Sequence, residues 1–163
     1  MQGRLTPSRD RGVQFFPFDS WQDEFVHASM LGLREIEWIF DLESYEKNPL
    51  WNSSGIQTIK RAITESGVRV NHVCADFFMR RPFFRNSDAV RQENIMILST
   101  LIHRTAEIGA QNIEIPVLDN SAIRSKDEER IFIRSIQTCL PVAEKFKIGI
   151  NIESDYQPDQ LAN

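Results

Sequence analysis

The sequence predicts an α/β fold on a parallel sheet. Two observations carry this. Apolar, β-branched runs of strand length alternate with longer amphipathic runs, the pattern of strands joined by crossover helices. The strand-like runs begin near residues 1, 35, 68, 112 and 147, at spacings of 34, 33, 44 and 35 residues, the length of βα units. A third observation narrows the class: no glycine-rich dinucleotide or phosphate loop follows any strand, which weakens the nucleotide-binding reading of an open sheet. Two architectures fit, an open doubly wound sheet and part of a (β/α) barrel. A whole barrel takes eight strands and about 250 residues; the 163 residues here supply about five strands and four helices.

Each element has its own signal. MQGRL at the N-terminus is the first strand candidate, and Gly12 to Phe18 an aromatic loop. Asp19 or Ser20 caps a first helix, with Asp23 and Glu24 favouring its N-terminal dipole and Trp21, Phe25 and Ala28 on one face. Gly32 ends it, and Glu35 to Phe40 (EIEWIF) is the second strand. Asn52 to Gly55 marks a loop and cap before a helix with Ile56, Ile59 and Ile63 as its stripe, stopped at Ser66–Gly67. Val68 to Ala75 is the third strand. Asp76 to Asn86 (DFFMRRPFFRN) is expected as a long loop, either a mobile lid over a pocket or a patch buried against missing structure, with Met79 and the Phe residues packed against the helix that follows as the plain alternative. Ser87 caps a long helix striped by Ile95, Leu98, Ile102 and Ala106 and closed by Gly109. Asn112 to Leu118 is the fourth strand, Ser125 to Phe146 a helix with Pro141 inside it, and Lys147 to Glu153 the fifth strand. Gln157 to Leu161 opens a further helix with an early proline.

Composition bounds the function. Apolar residues at 41% and charged residues at 26% describe a globular chain with a real core, and seven Gly and seven Pro argue against low complexity. A net charge of −4 points to neither nucleic acid nor an anionic membrane, and no apolar run approaches a membrane span. Cys74 and Cys139 form no metal or redox motif and suit a reducing compartment, the cytoplasm.

Ligands of parallel sheets bind at the C-terminal ends of the strands. That rule selects Gln2, Gly3 and Arg4; Glu37, Trp38 and Asp41; Cys74 and Asp76; Pro116 and Asp119; Glu153 and Asp155. Glu153 ends the alternation Ile148, Ile150, Ile152, where a carboxylate suits a divalent cation or a general base as well as it suits a helix cap or an ion pair. Glu35 and Glu37 lie on the face opposite Ile36, with Glu37 the inward candidate. Arg4 suits phosphate or carboxylate oxygens, whether of a ligand or of Glu37. His72 reads as a core histidine, and His27 and His103 as structural or exposed. The interleaved Phe and Arg after Asp76 make only weak support for nucleic acid.

These residues also resemble a family. MQGRLTP, GLREIEWIFD (Gly32 to Asp41), NPLW (Asn48 to Trp51), CADFFM (Cys74 to Met79), IEIPVLD (Ile113 to Asp119) and INIESD (Ile150 to Asp155) together resemble bacterial sugar phosphate isomerases/epimerases of the xylose-isomerase-like barrel superfamily, over that family's N-terminal half. The resemblance implies a TIM-barrel type parallel sheet, incomplete here, in a single domain over residues 1–163. It implies a small-molecule sugar or sugar phosphate as substrate, and a divalent metal (Mn, Mg, Co or Zn) in the complete enzyme. Glu153 matches the family's metal-ligating, proton-moving Glu. Glu37 matches the pocket Glu and Arg4 the Arg of the turn after strand one, while Trp38 and Asp76 are expected beside the substrate. The implied reaction is proton abstraction next to a carbonyl. The other metal ligands of the family belong to later strands, so a non-catalytic half-barrel is the alternative, with an abasic-site endonuclease-like barrel as a third reading. Five unclosed strands would leave sheet edges that favour self-association.

Overall fold

A computed structural model of the chain describes residues 4–7 and 15–157. Four strands, β1 (Glu35–Ile39), β2 (Arg69–Cys74), β3 (Asn112–Val117) and β4 (Gly149–Ser154), form one sheet in the order β1-β2-β3-β4, parallel throughout. The crossovers are α1 (Trp21–Met30) ahead of β1, α2 (Ser53–Ser66), the short α3 (Phe77–Arg80) with α4 (Asp88–Glu107), and α5 (Lys126–Phe146). This is the α/β alternation expected from the sequence, in one open sheet.

The helix boundaries follow their caps. The Asn52 side chain accepts from Gly55 N–H at 2.8 Å to open α2, and Gly67, at φ +71°, closes it in the left-handed region. Ser87 and Ser125 accept from the third residue beyond them to open α4 and α5. Ser20 stands at the α1 cap position without a side-chain cap bond. Pro141 sits within α5, which runs on to Phe146.

The predicted stripes are the core. Trp21, Phe25 and Ala28 of α1, Ile56 and Ile59 of α2, and Ile95, Leu98 and Ile102 of α4 are all buried. They pack on one sheet face, where Trp38, Val73 and Ile113 lie in register, with Ile115 one pleat further along β3. Among the described residues no helix is long and apolar enough to cross a membrane.

Several expectations change. Most of the first strand candidate lies outside the described residues; Arg4 to Pro7 is described and is not strand. The further helix expected after Gln157 also lies outside them. The stretch after Asp76 is neither a lid nor an exposed nucleic-acid surface. It folds into α3 and a tight turn, with Phe77, Phe78, Phe83 and Phe84 all buried. Phe78 stacks on Phe83 at 4.7 Å, and both Phe83 and Phe84 meet Phe132 of α5 edge-on. Four aromatics in eight residues hold too much apolar surface to leave in water. Arg85 pins the end of this turn, donating to the carbonyls of Asn120 and Ala122 and pairing with Glu128 at 3.0 Å.

Candidate active site

In a parallel sheet, residues paired across strands project to the same side. The register therefore builds one face from Glu37 opposite His72, His72 opposite Asn112, Cys74 opposite Glu114, Glu114 opposite Asn151, and Pro116 opposite Glu153. This face is the one not covered by the core stripes of the helices. A register shift between Ile36 and Glu37 lets β2 pass one extra residue, Asn71, and brings Glu37 level with His72. Asp41 and Asp76 follow directly on the C-terminal ends of β1 and β2, and both are buried.

The carboxylates of this face feel one another. Burial, then the charges of Glu37 and Glu153, push the Glu114 carboxyl above its ordinary range, with His72 opposing. Burial is also the main cause that raises Asp76; the Cys74 thiol, donating to Asp76 Oδ1 at 3.4 Å, and Arg80 pull it down, while Asp41 and Glu153 push it up. The Cys74 thiol is driven well above its usual range by burial and by Asp76, Glu37 and Glu114, so it stays protonated and serves as a hydrogen-bond donor. Asp41 accepts from Leu42 N–H at 2.6 Å and faces Arg80 Nε at 3.7 Å.

The residues singled out from the sequence are thus divided. Glu37, half-buried, Asp76, buried, and Glu153, exposed on the edge strand, come together on the open face. Arg4 is exposed. Trp38 goes elsewhere: it is 0% exposed on the helix-covered side. Its Nε1–H donates to Asn48 Oδ1 at 2.9 Å, and its ring lies between Phe16 and Trp21. It has no surface to offer a sugar, because adjacent strand residues alternate and Glu37 takes the open side. His72 is exposed on the open face rather than in the core. Glu114 is the residue the strand-end rule missed, since it sits two positions inside β3. The alternation Ile113, Glu114, Ile115, the same signal used for Glu37, would have found it.

The divalent metal implied by the resemblance finds no ready donor set. Among the described residues no group of three or more His, Cys, Asp or Glu side chains is placed to hold a metal ion. These residues by themselves therefore do not fit such an ion, which needs several donors in defined geometry.

No family model matches the chain. It is 24% identical over 137 residues to an L-ribulose-5-phosphate 3-epimerase of Escherichia coli, covering 83% of this chain and 48% of that protein. A Salmonella heidelberg L-ribulose-5-phosphate 3-epimerase is 23% identical over the same shares. Among solved structures it superposes on the E. coli 3-keto-D-glucoside 4-epimerase with a TM-score of 0.62 at 18% identity, over 85% of this chain and 52% of that one. A D-psicose 3-epimerase from Clostridium cellulolyticum gives 0.61 at 13% identity, over 80% and 45%. The chain spans about half the length of the curated relatives it matches. Its sheet and helices have the fold of part of a (β/α) TIM barrel, matching about half of these epimerase structures, and over a similar stretch the chain is similar in sequence to L-ribulose-5-phosphate 3-epimerases.

Proposed function

We propose that this chain provides the sugar-binding and proton-moving face of a sugar phosphate epimerase or isomerase. The observation that carries the reading is the set of carboxyl groups, Glu37, Asp76, Glu114 and Glu153, on or at the end of one face of a parallel sheet whose other face is packed under helices. Its likeness to L-ribulose-5-phosphate 3-epimerases supports a ketose phosphate as the substrate class.

The chemistry assigned is proton transfer next to a carbonyl. Glu153, at the end of β4, takes a proton from the carbon beside the carbonyl, leaving an enediolate. Return of a proton to the opposite face of the same carbon epimerises the sugar; return to the neighbouring carbon isomerises it. Burial and the neighbouring acids raise Asp76 and Glu114, so each takes up a proton more readily than a free carboxylate and suits proton exchange beside the enediolate. Glu37 accepts from sugar hydroxyls, and Arg4 takes the phosphate.

The test is exchange with solvent deuterium. L-Ribulose 5-phosphate in D2O with the chain should take up deuterium next to its carbonyl by NMR, and Glu153→Gln should abolish uptake. No uptake by the chain, with intact ligand binding, would sink the enzymatic reading and leave the non-catalytic half-barrel in its place. The exposed face and the edge position of β4, with Ile152 exposed, are what favour that second reading.

A further inference from the structure

Among the described residues, one buried carboxylate lies outside the site just described. Glu24 lies in the first turn of α1, where an acid ordinarily points to water and favours the helix dipole. Instead it is 1% exposed. Its Oε1 accepts from the Thr6 hydroxyl at 2.6 Å and from Leu5 N–H at 3.2 Å. One turn on, His27 Nδ1 lies 2.9 Å from the Leu5 carbonyl oxygen; a carbonyl only accepts, so the ring donates. Leu5 is thus held at both its N–H and its C=O, and Thr6, itself buried, at its hydroxyl.

The residue before this clamp is Arg4. The clamp also stands at the right end of the fold. α1 runs into β1 through the turn at Leu31–Gly32, so its first turn is level with the C-terminal end of β1, and the Trp21 and Trp38 rings meet there at 5.4 Å. We infer that Glu24 and His27 are positioning residues for Arg4: by fixing the backbone of Leu5 and Thr6 they hold the guanidinium at the strand-end face, ready for the phosphate of the substrate. The inference rests on the proposed role of Arg4 and adds to it a reason why an exposed Arg would not be free to wander. An Arg on an unfixed backbone segment loses much of its affinity to the entropy of ordering that segment, and a clamp removes that loss in advance.

The experiment uses the full chain and two ligands, L-ribulose 5-phosphate and unphosphorylated L-ribulose, with affinities from calorimetry and amide hydrogen exchange at Leu5 and Thr6. Thr6→Val removes the hydroxyl at nearly constant volume and leaves Glu24 its bond from Leu5 N–H, so it disturbs the fold less than Glu24→Ala; Glu24→Gln keeps an acceptor and should retain part of the clamp. Arg4→Ala is expected to weaken the phosphorylated sugar about tenfold. Thr6→Val should speed exchange at Leu5 and Thr6 and weaken the same ligand several-fold, leave L-ribulose unchanged, and add nothing in the Arg4→Ala background. If Arg4→Ala weakens the phosphorylated sugar and Thr6→Val does not, the positioning role is refuted while the role of Arg4 stands. If Thr6→Val costs as much without Arg4 as with it, the clamp acts on the fold alone and the inference falls. If Arg4→Ala has no effect, the assigned role of Arg4 falls, and the inference with it.

Discussion

Replacing Asn48 by Ala should cost this fold about 3 to 6 kcal/mol, although the side chain is small and carries no charge. Asn48 is buried in the connection between β1 and α2. Its Oδ1 accepts from Trp38 Nε1–H at 2.9 Å and from Leu50 N–H at 3.0 Å, and its Nδ2 donates to the Ile39 carbonyl at 2.9 Å. Trp38, Ile39 and Leu50 are all 0% exposed, so water has no easy path to the groups left behind. Each orphaned buried donor or acceptor costs about 1 to 3 kcal/mol. Three of them give the stated range, allowing for partial relaxation. Against a total stability of about 5 to 15 kcal/mol this is a large fraction, and it should lower the melting temperature by about 10 °C or more. The assay is urea unfolding followed by Trp fluorescence and circular dichroism, together with a double-mutant cycle. Trp38→Phe removes one donor, so Asn48→Ala in that background should cost about 1 to 2 kcal/mol less than in the parent. A loss below about 1 kcal/mol for Asn48→Ala, or strict additivity with Trp38→Phe, would refute the account.

Three other outcomes are expected. Phe83→Ala should destabilise by about 3 to 5 kcal/mol because its ring is core, stacked on Phe78; a near-neutral result would restore the lid reading of the turn after α3. Gly55→Ala should destabilise by about 2 kcal/mol or more by thermal melting, since a Cβ there would stand 2.1 Å from the Pro49 carbonyl oxygen and 2.5 Å from its Cα, and backbone cannot give way as a side chain can. Asp76 and Glu114 bind protons more readily folded than unfolded, so their contribution to stability is full below their ordinary values of 3.8 and 4.5 and is lost as pH rises through the raised native values. Asp76→Asn and Glu114→Gln should therefore raise the melting temperature at about pH 7, with the gain shrinking as pH falls toward about 4. A gain that is constant across that window would show that the charge is not the cause.

Periodicity made the frame of this fold legible. The α2 stripe at Ile56, Ile59 and Ile63 and the α4 stripe at Ile95, Leu98 and Ile102 needed only the helical repeat, and their caps at Asn52 and Ser87 needed only the local chemistry of an Asn or a Ser before an apolar run. The turn after Asp76 was harder, because four Phe beside three Arg look alike whether they wait for a ligand or pack against α5. Only the position of Phe132, about fifty residues further on, decides between them. Gly55 looked like a loop marker, yet its reason is the approach of the Pro49 backbone, which no local pattern encodes.

The site was legible where alternation alone fixes a face and obscure where register does. Glu37 could be placed opposite Ile36 from its own strand, and the same alternation puts Trp38 under the helices, which the strand-end rule by itself does not see. Alternation marks Glu114, between Ile113 and Ile115, for the open side, but which groups it meets is set by register: β3 pairs with β2 so that Glu114 stands level with Cys74, and with β4 so that it stands level with Asn151. Once aligned, the acids work against one another: Glu37 and Glu153 raise Glu114, and Glu153 raises Asp76. Stability alone gives no reason for gathering like charges on one sheet face, since each raised carboxyl marks a native state that is strained at neutral pH. Glu35, at the start of the same strand, has the ordinary surface solution, an exposed pair with Arg69 at 2.6 Å. Glu35 and Glu37 stand two residues apart on one side of one strand: the acid at the N-terminal end of the sheet meets an arginine, while those toward the C-terminal end, where parallel sheets bind their ligands, are gathered with one another, Glu37 raising Glu114.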